Sequence, residues 1–312
     1  MHKTVLAFGE VLWDLLPSGP ALGGAPFNFA YRASSLGDSG LMVSRLGRDE
    51  LGERAWRRLK ALGMDGRLIQ WDEAHPTGTV RVDLADPDRP DFHVVPDAAY
   101  DQIEPTPRLL SAAASADCIC YGTLIQRTPA ARQTLAVVLN AGGRAAKLLD
   151  INLRKDCYTR ETIVASLREA DVLKLNDDEA CALAGMFGVG APELPAFCEA
   201  MIEQWDLTHC VVTLGERGAF AMSEHGERVY VPGYKVELAD TCGSGDAFSA
   251  GFIHRLLRGR PLAECCELGC ALGALVATQI GATEPISPAR LEAFLAAAHE
   301  RTGEPGLARY AV

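Results

Sequence analysis

The chain has 312 residues, of which 48% are hydrophobic and 23% charged. This excludes a disordered composition and suits one large α/β domain with a sizeable core. The formal net charge of -11 argues against broad nucleic-acid binding, which needs a basic field, yet leaves room for an anionic ligand held by locally placed donors.

TVLAFG (4–9) reads as a buried strand. The run VLAFGEVLWDLL is broken by Glu10 and Asp14 and has no basic lead-in or A-x-A site, so no signal peptide is expected. Residues 10–24 mix polar and apolar residues with Pro17, Gly19, Pro20 and paired glycines. A helical pattern runs from about Pro26 to Leu36, GLMVSRL (40–46) is a strand, and Asp49 to Leu62 is a helix ending at Gly63. Residues 76–96 alternate like exposed strands around a Pro/Asp turn. With 10–24 they predict a small sheet standing off the main body, either a surface hairpin or a lid.

DCICYG (117–122), AKLLDIN (146–152), DVLKLN (171–176) and HCVVTLG (209–215) are short apolar runs, each leading into a helical segment. Such strands alternating with helices predict a mostly parallel sheet covered on both faces. Ligands bind such sheets at the carboxyl ends of the strands. Asn152 and Arg154, Asn176 and Glu179, and Gly215 to Gly218 all fall at such ends. The longest apolar run, LGCALGALVATQI (268–280), is shorter than the roughly 18 residues of a spanning helix. The ten cysteines show no C-x-x-C pair and no zinc spacing. They are expected as small buried hydrophobes in a reducing, cytoplasmic setting, with no membrane or nucleic-acid partner.

DTCGSGDAFSAGF (240–252) raises the main chemical question. Phe248, Phe252 and Leu256 share one helix face, and Arg258-Gly259 reads as that helix's end. A helix N-terminus offers unpaired N–H groups and partial positive charge, and glycines let an anion reach them. Gly243, Ser244 and Gly245 therefore suit an anion cradle, with Asp246 beside it in the first turn. Asp246 is equally what a helix cap looks like. No Walker A loop, dinucleotide fingerprint, H-E-x-x-H or G-x-S-x-G occurs. A carboxylate beside an anion cradle fits phosphoryl transfer: the carboxylate orients a hydroxyl and takes its proton, and the donors stabilise the transferring group. The helix N-terminus is expected to lower the pKa of Asp246.

DTCGSGDAF resembles the D-T-x-G-x-G-D signature of the ribokinase-like (PfkB) family of carbohydrate kinases. GGAPFNFA (23–30), GRDELG (47–52), NDDE (176–179) and VTLGERGA (212–219) resemble its further motifs in the family's order, so that the likeness covers essentially the whole chain. GEVLWDLLP, PTGTVRV, YGTLIQR and DINLRKDCY look most like fructokinase-type members. The resemblance implies one ribokinase-like α/β domain over 1–312, with lid segments 10–24 and 76–101 and dimerisation through the lid. It implies Asp246 as catalytic base, and the backbone from Gly243 to Asp246 as anion hole. Asp14, Gly24 and Asn28 would hold sugar hydroxyls, and Arg154 would reach the transferring phosphate or the sugar. Asn176, Thr213, Gly215 and Gly218, with Gly243 and Gly245, would line ATP. Glu179 would position Mg2+ through water, together with Asn176, and Asp240 and Gly281 would serve a monovalent cation such as K+.

Cys242 and Cys270 depart from the residues common in the family, and D-P-N-x-R appears as Asp150-Ile151-Asn152-Leu153-Arg154. The expected reaction is phosphorylation of D-fructose to fructose 6-phosphate by ATP. Another sugar, a sugar acid such as 2-keto-3-deoxygluconate, or a nucleoside stays open as substrate. So does a non-catalytic sugar- or nucleotide-binding regulator, although such a protein need not keep Asp246 and Arg154.

Overall fold

The computed structural model describes residues 2–16, 19–83, 91–189 and 193–312. Strand β1 (Thr4–Phe8) runs straight into β2 (Leu12–Leu16) and β3 (Gly19–Gly23), and only then into α1 (Ala25–Ser35), β4 (Ser39–Gly47) and α2 (Glu50–Ala61). β5 (Ile69–Asp72), β6 (Gly78–Asp83) and β7 (Asp91–Val94) follow, then α3 (Pro107–Ala114), β8 (Cys118–Tyr121), α4 (Pro129–Ala141) and β9 (Ala146–Asp150). The second half holds α5 (Arg160–Glu169), β10 (Val172–Asn176), α6 (Asp177–Phe187), α7 (Leu194–Trp205) and β11 (His209–Thr213). It continues with β12 (Ala219–Ser223), β13 (Arg228–Val231), β14 (Gly233–Tyr234), α8 (Ser244–Leu256), α9 (Leu262–Ala277), α10 (Pro288–Ala296) and β15 (Arg301–Thr302).

The main sheet has nine strands in the order β13-β12-β11-β10-β9-β8-β1-β4-β5. Pairing is parallel from β11 to β5, and antiparallel where β12 and β13 extend it. Successive side chains of a strand face opposite ways, and both ways are buried here. Leu6, Phe8, Ile119 and Tyr121 join one core with helices α3 to α7, whereas Val5, Ala7, Cys118 and Cys120 join another with α1, α2, α8 and α9. That is why these strands are apolar throughout. The strand order reverses between β1 and β8, so the crevice at their carboxyl ends is the place for a ligand. This is the ribokinase-like α/β fold, with a mostly parallel sheet, helices on both faces and a small second sheet.

The second sheet has four strands, β3-β2-β6-β7, built from parts of the segments 10–24 and 76–101 that were expected as a lid. Its C-terminal limit needs correction. Residues Ala99–Gln102 form a 3-10 turn, with Tyr100 and Asp101 fully buried in the main body. Arg127 anchors that turn, with Nη2 2.6 Å from Asp101 Oδ2. Pro17, Ser18 and residues 84–90 of the expected lid lie outside the described residues. Two of the ten cysteines, Cys181 and Cys242, are exposed rather than buried. Among the described residues no helix is long and apolar enough to cross a membrane.

Candidate active site

Helix α8 starts at Ser244, with Gly243 as its N-cap at φ 77°. Left-handed backbone strains any L side chain, and a Cβ here would also come 2.3 Å from Ala282 Cβ. The Ser244 N–H turns back to Thr241 O at 3.2 Å. Among the described residues the N–H groups of Gly245 and Asp246 have no acceptor. The free donors of the turn are thus fewer than the glycine stretch suggests, and they flank the Asp246 side chain.

Asp246 accepts a hydrogen bond from Asn28 Nδ2 at 2.8 Å. Its pKa is raised to about 6, first by burial and then by the negative charge of Asp150, with Asn28, Lys174 and Arg154 pulling the other way. The sequence-based expectation of a lowered pKa is therefore corrected, because burial and Asp150 outweigh the helix end. Asn28 Oδ1 is buried with no partner among the described residues. Beneath the turn, Lys174 Nζ lies 3.1 Å from Asp150 Oδ1 and 3.2 Å from where a Cβ on Gly245 would be. Ser249 Oγ donates to the other Asp150 oxygen at 2.7 Å. Burial would strip the Lys174 proton, but Asp150, Glu179 and Asp246 hold its pKa above the ordinary value.

The opposite wall comes from the first strands. Gly24, the N-cap of α1 at φ 115°, is bare because a Cβ would meet Glu10 O at 2.4 Å. Asp14 on β2 places Oδ2 3.0 Å from the Cβ position of Gly23, and burial raises its pKa. Arg154 follows β9 after Asn152, whose φ of 42° turns the chain. Its guanidinium is exposed, has no carboxylate at ion-pair distance among the described residues, and acts on Glu10, Asp14 and Asp246 together. The surface ion pair that would have made Arg154 ordinary is thus absent among those residues.

Glu10 itself was not anticipated. It is 4% exposed at the end of β1, with its pKa raised to about 7 by burial. It lines a cavity of about 10 Å³, beside Thr123, Asp150 and Asn152, with room for about one water. An acid just past a buried strand that leads to the sheet's carboxyl edge was the available signal.

Asn176 and Thr213 are register partners on β10 and β11. Asn176 and Glu179 form a capping box: Asn176 Oδ1 accepts from Glu179 N, and Glu179 Oε2 accepts from Asn176 N, both at 2.8 Å. Glu179 Oε1 accepts from Leu153 N at 2.8 Å, which ties this corner to the Arg154 loop. With both oxygens engaged, Glu179 suits a cation held through water rather than directly. Among the described residues no group of three or more His, Cys, Asp or Glu could hold a metal ion. Gly215 and Gly218, at φ 59° and 95°, bracket the turn after β11. Asp240 accepts from Cys242 N and from Gly281 N, each at 2.9 Å, which joins its loop to the end of α9. A larger cavity, about 580 Å³, lies by the carboxyl ends of β4 and β5 and against α4, and shares no lining residue with the site around Asp246; its Arg45 is already paired with Asp72 and Glu104.

The family model of pfkB family carbohydrate kinases matches residues 20–290. The chain belongs to this family, and it is a carbohydrate kinase. It is 27% identical to a fructokinase of Escherichia coli, over 94% of this chain and 98% of that one. It is also 27% identical to a 2-dehydro-3-deoxygalactonokinase of Haloferax volcanii, over 99% and 100%. Among solved structures, a fructokinase of Vibrio cholerae with fructose, ADP and calcium bound superposes with a TM-score of 0.80 at 25% identity, over 94% and 99% of the two chains.

Proposed function

We propose that this sugar kinase transfers the γ-phosphoryl group of ATP to D-fructose, giving fructose 6-phosphate. The observation that carries the reading is Asp246, held by Asn28 beside the free N–H groups that open α8. Asp246 takes the proton of the attacking hydroxyl. The hydroxyl oxygen bonds to the γ-phosphorus as the bond to the bridging oxygen of ADP breaks. The backbone from Gly243 to Asp246 receives the charge that develops, and Arg154 reaches the transferring group or the sugar from the opposite side. A pKa near 6 keeps Asp246 ionised at neutral pH yet basic enough to accept a proton.

Asp14, Gly24 and Asn28 bind the sugar. Asn176, Thr213, Gly215 and Gly218 line ATP, as do Gly243 and Gly245. Mg2+ would be positioned by Glu179 and Asn176 through water, where it would neutralise phosphate charge; the engaged oxygens of Glu179 fit that indirect role. A K+-type ion would lie by Asp240 and Gly281. The whole chain is one domain with a lid that also dimerises, working in the cytoplasm.

The sugar side carries three acids, Glu10, Asp14 and Asp246, beside Arg154 and with the Lys174–Asp150 pair beneath. A neutral polyol offers such groups hydroxyls, whereas an anionic sugar adds negative charge beside Asp14 and Asp246. This favours fructose over the sugar acid suggested by the Haloferax volcanii relative. The test is ADP release with fructose, ribose, glucose, 2-keto-3-deoxygluconate and adenosine. Fructose should give the highest kcat/KM, and Asp14→Ala should raise its KM more than it lowers kcat. A clear win for another sugar overturns fructose alone; no turnover with any would favour a binding protein.

A further inference from the structure

Arg32 lies on α1 one turn beyond Asn28 and is 0% exposed. Its Nη2 donates to Ala282 O at 2.6 Å, while Nε and Nη1 have no partner among the described residues. No carboxylate of those residues lies within ion-pair distance of it. The acid that acts on it, Glu284, is itself 3.3 Å from Arg58. An arginine stays charged even where burial lowers its pKa. Its guanidinium lies over the ring of Tyr31, 5.1 Å from the centroid, but has no counter-charge beside it, normally a costly arrangement.

Its position gives that charge a use. Ala282, whose carbonyl Arg32 holds, packs directly under Gly243: a Cβ there would come 2.3 Å from Ala282 Cβ and 3.6 Å from Asn28 Nδ2. Two side chains of α1, spaced i and i+4, therefore grip the start of α8 from two sides. Asn28 holds the carboxylate and Arg32 holds the loop beneath the turn. A fixed cation in a water-excluded place acts strongly on charge developing nearby and needs no rearrangement as the reaction proceeds.

We propose that Arg32 is a positioning residue for phosphoryl transfer, a permanent positive charge built in behind Gly243 that favours the transition state over bound ATP. The proposal rests on the reading of the Gly243–Asp246 backbone as the phosphoryl cradle. Only interactions stronger in the transition state speed the reaction, so the test compares two affinities. One is for AMP-PNP; the other is for ADP with aluminium fluoride and the sugar turned over fastest in the panel above.

Arg32→Met should lower kcat about tenfold or more, with KM for ATP and sugar within about twofold. Affinity for the aluminium fluoride complex should fall by the same factor as kcat, and that for AMP-PNP should hold. Arg32→Lys should recover part of both losses. A folded Arg32→Met enzyme with kcat within twofold of the parent overturns the proposal, as does equal loss of both affinities. If Arg32→Met does not fold, Arg32→Lys and Arg32→Gln carry the same comparison. Should Asp246→Asn leave turnover intact, the cradle reading itself has failed; should it abolish turnover while the Arg32 variants behave as the parent, only the role of Arg32 has.

Discussion

Asn28 Nδ2 stands 2.8 Å from Asp246 Oδ2, joining α1 to the first turn of α8 across 218 residues of chain. A bond donated to a carboxylate favours its ionised form. Asn28→Ala should therefore push the pKa of Asp246 above its present value of about 6, by about one unit. The acid limb of kcat/KM, which reports the free enzyme, should move up with it. An unmoved limb would show that the pair has no part in setting the base.

For the parent enzyme the sign is fixed by the state that works. In the proposed role Asp246 acts ionised, so kcat/KM should rise as pH climbs through about 6 and level off above. Asp246→Asn keeps the shape and removes proton acceptance. It should lower kcat by about 10² to 10⁴, with sugar and ATP binding kept in calorimetry. Near-normal turnover would make Asp246 a helix cap.

Arg154 tests geometry against charge. Its planar fork can pair two oxygens at once, and a lysine ammonium cannot. Arg154→Lys should therefore lower kcat by about tenfold or more despite the retained charge. Equal kinetics in the two forms would remove Arg154 from the site.

Glu10 links the site to stability. Its folded-state pKa, about 7, lies above the ordinary 4.5, so the folded chain holds that proton more tightly than the unfolded one. The stabilisation is whole below pH 4.5 and is lost as pH rises through 7. Glu10→Gln cannot ionise. It should raise stability at pH 8 by roughly 3 kcal/mol, and the gain should disappear at pH 4. Denaturant melts at the two pH values check this; a gain of equal size at both would mean that packing, not ionisation, is responsible.

The parts of the site carried by local backbone were legible in the chain. The glycine turn before α8 is set by residues a few positions apart and reads directly as turn and cap chemistry; Asn176 and Glu179 stand out at a strand end, though not as the capping box they form. The lid's alternation was legible too, except that Tyr100 and Asp101 belong to the body: their burial depends on Arg127, 26 residues on from Asp101. Glu10, Lys174 and Arg32 were hidden for a related reason. Lys174 sits within VLKLN, an apolar strand, and its meaning comes from Asp150, 24 residues away. Arg32 acquires its partner from Ala282, 250 residues away. The upward pKa of Asp246 was misjudged because a helix end is visible in sequence, whereas enclosure beside Asp150 is not.

The grip of α1 on α8 also bears on how the protein is made. β1 lies inside the main sheet between β8 and β4, and α1 lies in one core with Phe248, Phe252 and α9. On the ribosome, α1 emerges well before residues 244–277, and its apolar face waits for them before that core can close. Contacts this distant in sequence form slowly, and the exposed face invites aggregation meanwhile. A chain stopped short of Ala282 would lack the floor beneath Gly243 however well its earlier strands had paired. The turn that opens α8 is therefore completed only once the chain has been made as far as Ala282, and copies stopped earlier are left without its floor.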